Sequence, residues 1–346
     1  MTTLACDYHR PRTIEEASSI LLEGGARAAL LAGGTDLVVR LKRSLRSVDV
    51  VVDLAEIDEL RRLEETVDGM WLGAMVTAAD VARQGTMRAR FPAVAEAARS
   101  VGGLQIRHMA TVGGALASGL RCQFRDQSSF WRATLGACLA AGGGSCHARP
   151  GDGCVATVAC DLPPAIAASE GQVVIAGPRG RRTSSIGALS TGDGTRPLRL
   201  AAGEVIVGVI LPWKAGAPWR SSVYMKTRLR RAVDRPLVGL ALSAELADHG
   251  ELVHLSMSVC GNGPAVTQVP GLEPFIGARL EQPVADAIGR HVSRWFEPSP
   301  AIRIDVPWRR AVAGVMARRA LESIARGATR RARRSGRDGE RATRRS

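Results

Sequence analysis

The sequence predicts a mixed fold of helices and short strands, α+β or α/β in class. Three observations carry that expectation. Strand-like and helix-like stretches alternate from the beginning of the chain. Gly-Gly pairs stand at Gly33–Gly34 and again at Gly113–Gly114. A long stretch from 122 to 160, dense in Gly, Cys and Arg, interrupts the alternation.

The elements follow in order. "TIEEASSILLEGG" reads as a helix with a capping box, Thr13 and Glu16, and a stop at Gly24. Ile14, Ala17 and Leu21 share one face of it. "ARAALLAGG" is a short buried strand, and "VDVVVDL" at 48–54 is a second. "GMWLGAMVTAADVAR" is a strand and then a helix starting near Thr77. "FPAVAEAARSVG" is helical after Pro92. Regular structure returns with "DLPPAIAASEGQVVIAG", a helix then a strand, and with the strand "GEVIVGVILP" ending at Pro212. "APW" at 217–219 reads as a linker, with a boundary near Gly216. Beyond it "PLVGLALSAEL" and "ELVHLSMSVCG" are strands joined by "ADHGE", and helices such as "PVADAIGRHVSRWF" close a smaller domain.

A length of 346 residues allows roughly one to three domains. No apolar stretch approaches the ~18–20 residues that span a bilayer, and "MTTLACDYHRPRT" has no basic-then-apolar start, so a cytoplasmic location is expected. The formal net charge is +14, of which +6 falls in the last twenty residues, "GATRRARRSGRDGERATRRS". That tail lacks an apolar period and is expected to be disordered. Elsewhere no basic stripe is interleaved with stacking aromatics, which argues against a nucleic-acid groove.

"LLAGGTDLVVRLK" at 30–42 puts Gly33, Gly34, Thr35 and Asp36 between an apolar run and a helix-like run. It is either a phosphate cradle of backbone N–H groups or an ordinary strand-to-helix turn. Cys122, Cys138, Cys146 and Cys154 are four of the seven cysteines and fall in one 33-residue window, spaced C-x15-C-x7-C-x7-C. The spacing matches neither a ferredoxin run nor a paired C-x2-C zinc site, and four thiolates suit zinc as well as iron–sulfur. Cys160, at the end of a strand-like "CVATVAC", reads as buried, and Cys6 and Cys260 as core or surface thiols.

"AGGTDL" (32–37) and "ATVGGAL" (110–116) together resemble the paired flavin signatures of one family, the FAD-binding medium subunits of the molybdenum hydroxylases, which include xanthine dehydrogenase and aerobic CO dehydrogenase. "LGAMVTAADVA", "CDLPPAIAAS" and "GEVIVGVILP" with "YMKTRLRRAVDRPLVGLAL" agree in order, and the resemblance covers about residues 5 to 325. The cysteine stretch, with "RCQFRDQSSFWR" and "SCHARPGDGC", resembles an insertion in the β subunit of 4-hydroxybenzoyl-CoA reductase that carries an extra 4Fe–4S cluster and that most members lack.

The resemblance implies an α+β FAD-binding domain of two subdomains (PCMH-type) over 1–216, with the iron–sulfur insertion at about 122–158. A C-terminal α+β domain at 217–326 and the basic tail at 327–346 complete the chain. It implies that Ala32, Gly33, Gly34, Thr35, Asp36 and Leu37 meet FAD, and Thr111, Val112, Gly113, Gly114 and Ala115 meet it from the opposite side through backbone N–H groups. Asp161 would accept hydrogen bonds from a ribose, or cap the helix that follows it. Ile206 and Lys226 would lie at the isoalloxazine, the latter otherwise a solvated strand lysine. Ala115 departs from the Asn that usually ends the second signature. The implied partners are a large molybdopterin subunit and a small 2Fe–2S subunit, as a dimer of heterotrimers, with ferredoxin as electron donor. A CO dehydrogenase or heterocycle hydroxylase subunit is the alternative within the family. A zinc-binding basic protein that binds nucleic acid is the alternative outside it.

Overall fold

The computed structural model describes residues 5–213 and 219–343. The strands are β1 (Asp7–His9), β2 (Ala28–Leu31), β3 (Val50–Asp53), β4 (Leu63–Glu65), β5 (Gly69–Gly73), β6 (Gln172–Gly177), β7 (Gly180–Ser185), β8 (Val205–Pro212), β9 (Trp219–Thr227), β10 (Val238–Leu246), β11 (Leu252–Cys260) and β12 (Thr267–Gln268). They form three sheets, in the orders β1-β3-β2, β4-β5-β8-β6-β7 and β12-β11-β10-β9. The first is parallel, as the short apolar β2 and β3 require when a helix separates them. The other two are antiparallel.

The first helix, Ile14–Gly24, begins where the sequence places it: Thr13 Oγ1 accepts from the Glu16 N–H at 3.1 Å. Its Glu16 carboxylate reaches back to the Arg12 N–H at 2.9 Å, one residue earlier than a strict capping box. The helices Ala78–Arg83 and Pro92–Ser100 also start as expected, from Thr77 and at Pro92. One apolar core joins the first two sheets, and a second lies under the C-terminal sheet.

The C-terminal sheet is apolar on both faces. Strand β10 is buried along nearly its whole length, which explains its continuous apolar sequence. One face packs on the helix Val306–Thr343, and the helix Gln282–Trp295 joins the same core, crossing the first where Gly289 meets Gly314. The other face packs on the helices Pro92–Ser100 and Leu162–Ala168 of the FAD-type domain. That second contact brings β9 against the segment around Asp161.

The last helix runs on to Thr343, into the basic tail. Three expectations are corrected. "CVATVAC" is not a strand; it contributes only the isolated bridge Arg121–Thr157. Trp219 opens β9, and the rest of the expected linker, with Gly216, lies outside the described residues. The cysteine stretch contains a helix, Ser129–Leu135, capped by Ser128, whose Oγ accepts from the Trp131 N–H at 3.2 Å. Among the described residues no helix is long and apolar enough to cross a membrane.

Candidate functional site

The two Gly-Gly segments meet. A Cβ on Gly33 would stand 1.6 Å from the Met109 carbonyl oxygen, so only glycine lets the first segment lie against the residues leading into the second. Gly34 has φ +69°, a left-handed conformation that suits glycine. Among the described residues the N–H groups of Gly33, Gly34, Thr35 and Asp36 make no hydrogen bond, although the segment is half-buried. Among the described residues, four consecutive backbone donors are therefore left over, as an anion cradle requires.

The second segment differs, and this corrects the expectation for it. The Val112 N–H donates to Val76 and that of Gly113 to Ala74, at 2.9 and 2.8 Å. The Gly114 N–H is capped by Thr111 Oγ1 at 3.1 Å, and that of Ala115 reaches the Thr111 carbonyl at 2.9 Å. Four of its five backbone donors are spent on the fold. Gly113 is needed because a Cβ there would overlap Ala74. Ala115 instead borders an apolar cleft lined by Leu116, Pro163, Leu189, Leu198 and Val266 among others.

Asp36 ties the segments to their surroundings. Its carboxylate accepts from the Gly119 N–H at 3.0 Å, from Arg121 Nη2, and from Arg235 Nη2 at 3.5 Å. Burial works against its charge, but Arg121, the Gly119 N–H, Arg235 and Arg40 together hold its carboxyl below the usual range.

Asp161 and Lys226 are brought together from distant parts of the chain. Lys226 Nζ donates to Asp161 Oδ1 at 2.9 Å, to the Ser100 carbonyl at 2.7 Å and to the Asp234 carbonyl at 3.0 Å. Tyr224 Oη donates to the same carboxylate at 2.7 Å. Lys226 is thus no solvated lysine: its side chain is 5% exposed and all three protons are used. Asp161 makes no side-chain cap to the helix Leu162–Ala168, which corrects that reading as well. Burial pushes the Asp161 carboxyl up, and Lys226 and Tyr224 offset part of the rise. Burial and the neighbouring carboxylate keep Tyr224 neutral. Ile206 is 6% exposed and packs in the first core. Cys260 is buried, with its thiol on the Cys160 carbonyl, and Cys6 is half-buried.

The four clustered cysteines line one pocket, with Phe124 and Arg125 in its wall. Among the described residues no three His, Cys, Asp or Glu side chains converge closely enough to hold a single metal ion. Backbone N–H groups are aimed at the sulfurs: those of Phe124 and Arg125 at Cys122, of Ala148, Arg149 and Val155 at Cys146, and of Ala156 at Cys154. Burial raises the Cys122 and Cys154 thiols, whereas at Cys146 the N–H donors outweigh burial and lower it.

Hydrogen bonds pin the stretch to the body. The Gln123 N–H donates to Ala301 at 2.9 Å, Ser299 Oγ to the Val155 carbonyl at 2.5 Å, and Arg132 to the Ser44 carbonyl at 3.0 Å. The fully buried Arg309 holds the segment that receives two of these contacts, through the carbonyls of Ser299 and Ile302 at 2.9 and 3.0 Å. Sequence reasoning missed Arg309, because nothing local marks an arginine that serves a loop.

Residues 4–214 match the family model described as the FAD binding domain in molybdopterin dehydrogenase. The chain belongs to that family. Residues 223–324 match the CO dehydrogenase flavoprotein C-terminal domain. The chain is 26% identical over 319 residues to the carbon monoxide dehydrogenase medium chain of Hydrogenophaga pseudoflava, covering 92% of this chain and 96% of that one. It is 28% identical over 284 residues to the nicotine 6-hydroxylase medium subunit of Paenarthrobacter nicotinovorans, covering 82% and 84%. A solved carbon monoxide dehydrogenase from Hydrogenophaga pseudoflava superposes with a TM-score of 0.74 at 25% identity, covering 94% and 98%. The protein is therefore an FAD-binding subunit of the molybdenum hydroxylase type, an oxidoreductase component. The reading as a zinc-dependent nucleic-acid-binding protein gives way to this membership.

Proposed function

We propose that this subunit carries FAD and a 4Fe–4S cluster and relays single electrons between an outside iron–sulfur donor and its partner subunits. The observation that carries the reading is the meeting of Cys122, Cys138, Cys146 and Cys154 around one pocket in a member of an FAD-binding family. Four soft thiolates around a space, with N–H groups aimed at the sulfurs, fit a cluster better than a single ion. When bound, such a cluster supplies a one-electron station. The free N–H groups of Gly33 to Asp36 would hold the FAD pyrophosphate, and the apolar cleft beside Ala115 would take the ring system. Asp161, held by Lys226 and Tyr224, would position the ribose or the segment that bears it.

The whole enzyme in this reading is of the 4-hydroxybenzoyl-CoA reductase type. A molybdopterin subunit would remove an aromatic hydroxyl as water, using an electron pair and a proton pair, and a 2Fe–2S subunit would pass the electrons to it. Ferredoxin would be the donor. Phe130, Trp131 and Leu135, exposed on the helix beside the cysteine pocket, support an outside protein reaching this face. Similarity to carbon monoxide dehydrogenase and nicotine 6-hydroxylase chains favours a second reading, a hydroxylase subunit working in the oxidative direction.

Anaerobic purification with the partner subunits tests the proposal. Iron and flavin in stoichiometric amounts, and reduction by ferredoxin coupled to loss of the ring hydroxyl, are expected. Zinc without iron would overturn the cluster, and activity only with CO or an N-heterocycle would favour the second reading. Gly33→Ala should lose FAD, since its Cβ would push the two segments apart. Full flavin occupancy in that variant would overturn the cradle.

A further inference from the structure

The wall between the two sites is cationic. Arg40 is 8% exposed, and its guanidinium lies on Gly119, where a Cβ would sit 2.1 Å from Nη1. Its Nη1 is buried without a hydrogen-bond partner, and so is Arg121 Nε. Arg121 precedes the first cysteine and spans to Asp36 at the glycine segment. Arg125 lines the cysteine pocket itself. Its charge acts on both the Cys154 thiol and Arg40. Arg235 completes the group from the C-terminal domain, bonded to the Ala159 carbonyl at 3.3 Å. Against these four arginines stand Asp36 and Asp126, the latter held by the Cys122 N–H at 3.2 Å. From the other side of the pocket Arg149 acts on Cys146, and Arg303 stacks over Phe124. Positive charge is in excess, and crowding arginines together is costly unless something anionic offsets them.

A loaded cysteine pocket would be that anion. Four thiolates outweigh the positive core of a 4Fe–4S cluster, and each electron taken up adds negative charge. Net charge around a cluster, hydrogen bonds to its sulfurs and its exposure set its potential. We propose that Arg125, backed by Arg40 and Arg121, is a potential-setting residue that favours the reduced cluster. Arg125 bonds to no reacting atom; it lines the pocket itself. The inference rests on the iron–sulfur reading above.

The test uses the complete enzyme with its partner subunits, prepared anaerobically as wild type, Arg125→Gln and Arg125→Lys. Iron content is measured first. Redox titration then follows the cluster by EPR and the flavin by absorbance, the flavin serving as internal reference. Arg125→Gln should lower the cluster's reduced-to-oxidised ratio at fixed potential by at least tenfold, a shift of about 59 mV for one electron. The flavin should move less, and Arg125→Lys should stay near wild type. Loss of iron in the Gln variant with retention in the Lys variant would also support a charge requirement. An unchanged potential in Arg125→Gln, or equal effects from both variants, would overturn the proposal while leaving the cluster assignment standing. Absence of iron from the wild type would remove both.

Discussion

Lys226 and Asp161 form a buried pair whose every polar contact is internal, so removing one partner should cost far more than a surface ion pair is worth. Lys226→Met leaves a buried carboxylate facing only Tyr224. A loss of about 3–5 kcal/mol is expected from such a break, read by urea unfolding. Tyr224→Phe should cost only ~1 kcal/mol, since the lysine remains. Equal small effects from both would mean that the pair is not load-sharing. The sequence marked both positions, but as two separate contacts to a cofactor. Their pairing was not legible, because 65 residues separate them and only the packing of the C-terminal sheet on the FAD-type domain joins them. Asp36 carries a pH signature. Its folded carboxyl lies below the usual range, so its contribution to stability is complete above that range and is lost as pH falls through the lowered value. Asp36→Asn should be less stable at neutral pH and should flatten the acid limb below about pH 4, measured as unfolding free energy against pH. An unaltered acid limb would assign it to other carboxylates.

The cysteine stretch is the element that departs most from expectation. A stretch dense in Gly, Cys and Arg that interrupts the alternation leaves open what orders it. The structure adds a capped helix, Ser129–Leu135, and protein anchors at Ala301, Ser299 and Ser44. Cys138→Ser should therefore drop iron to near zero while FAD and most of the protease resistance persist. Proteolysis mapping together with metal analysis checks this, and wholesale cleavage of 122–158 would restore metal as the only organiser. The capped helix was legible in principle, from Ser128 three residues before Trp131. The anchors were not, because they depend on a segment held by an arginine from another helix. The glycine segments were legible as a pair. Which of them has donors to spare became visible only when each N–H was traced to its acceptor.

At the scale of the molecule, the sequence order of the sheets follows the expected domains, and the final helix runs past them. Ile324 is buried in the second core, and Ala325 and Ala328 pack against it. Truncation after Ala328 should leave the flavin and metal content and the thermal transition unchanged. Removal of residues from Leu321 onward should lower the transition, because it strips two fully buried side chains, Leu321 and Ile324, from that core. Thermal unfolding of the two truncations separates these outcomes. The composition of the tail, charged and without an apolar period, marks a segment that cannot bury itself.

The bridge between Arg121 and Thr157 has a further consequence. The two residues exchange both backbone hydrogen bonds, at 2.8 and 2.9 Å, so the stretch leaves the body and returns to it at a single closed neck. A region whose ends already touch is a cassette: it can be added to a folded chain, or taken away, without moving the sheets on either side. Replacing residues 123–155 by a short Gly-containing turn should give a chain that folds, retains flavin and carries no iron. In evolutionary terms, gaining such a stretch at this neck would need one insertion and the few host contacts that anchor it, at Ser44, Ser299 and Ala301.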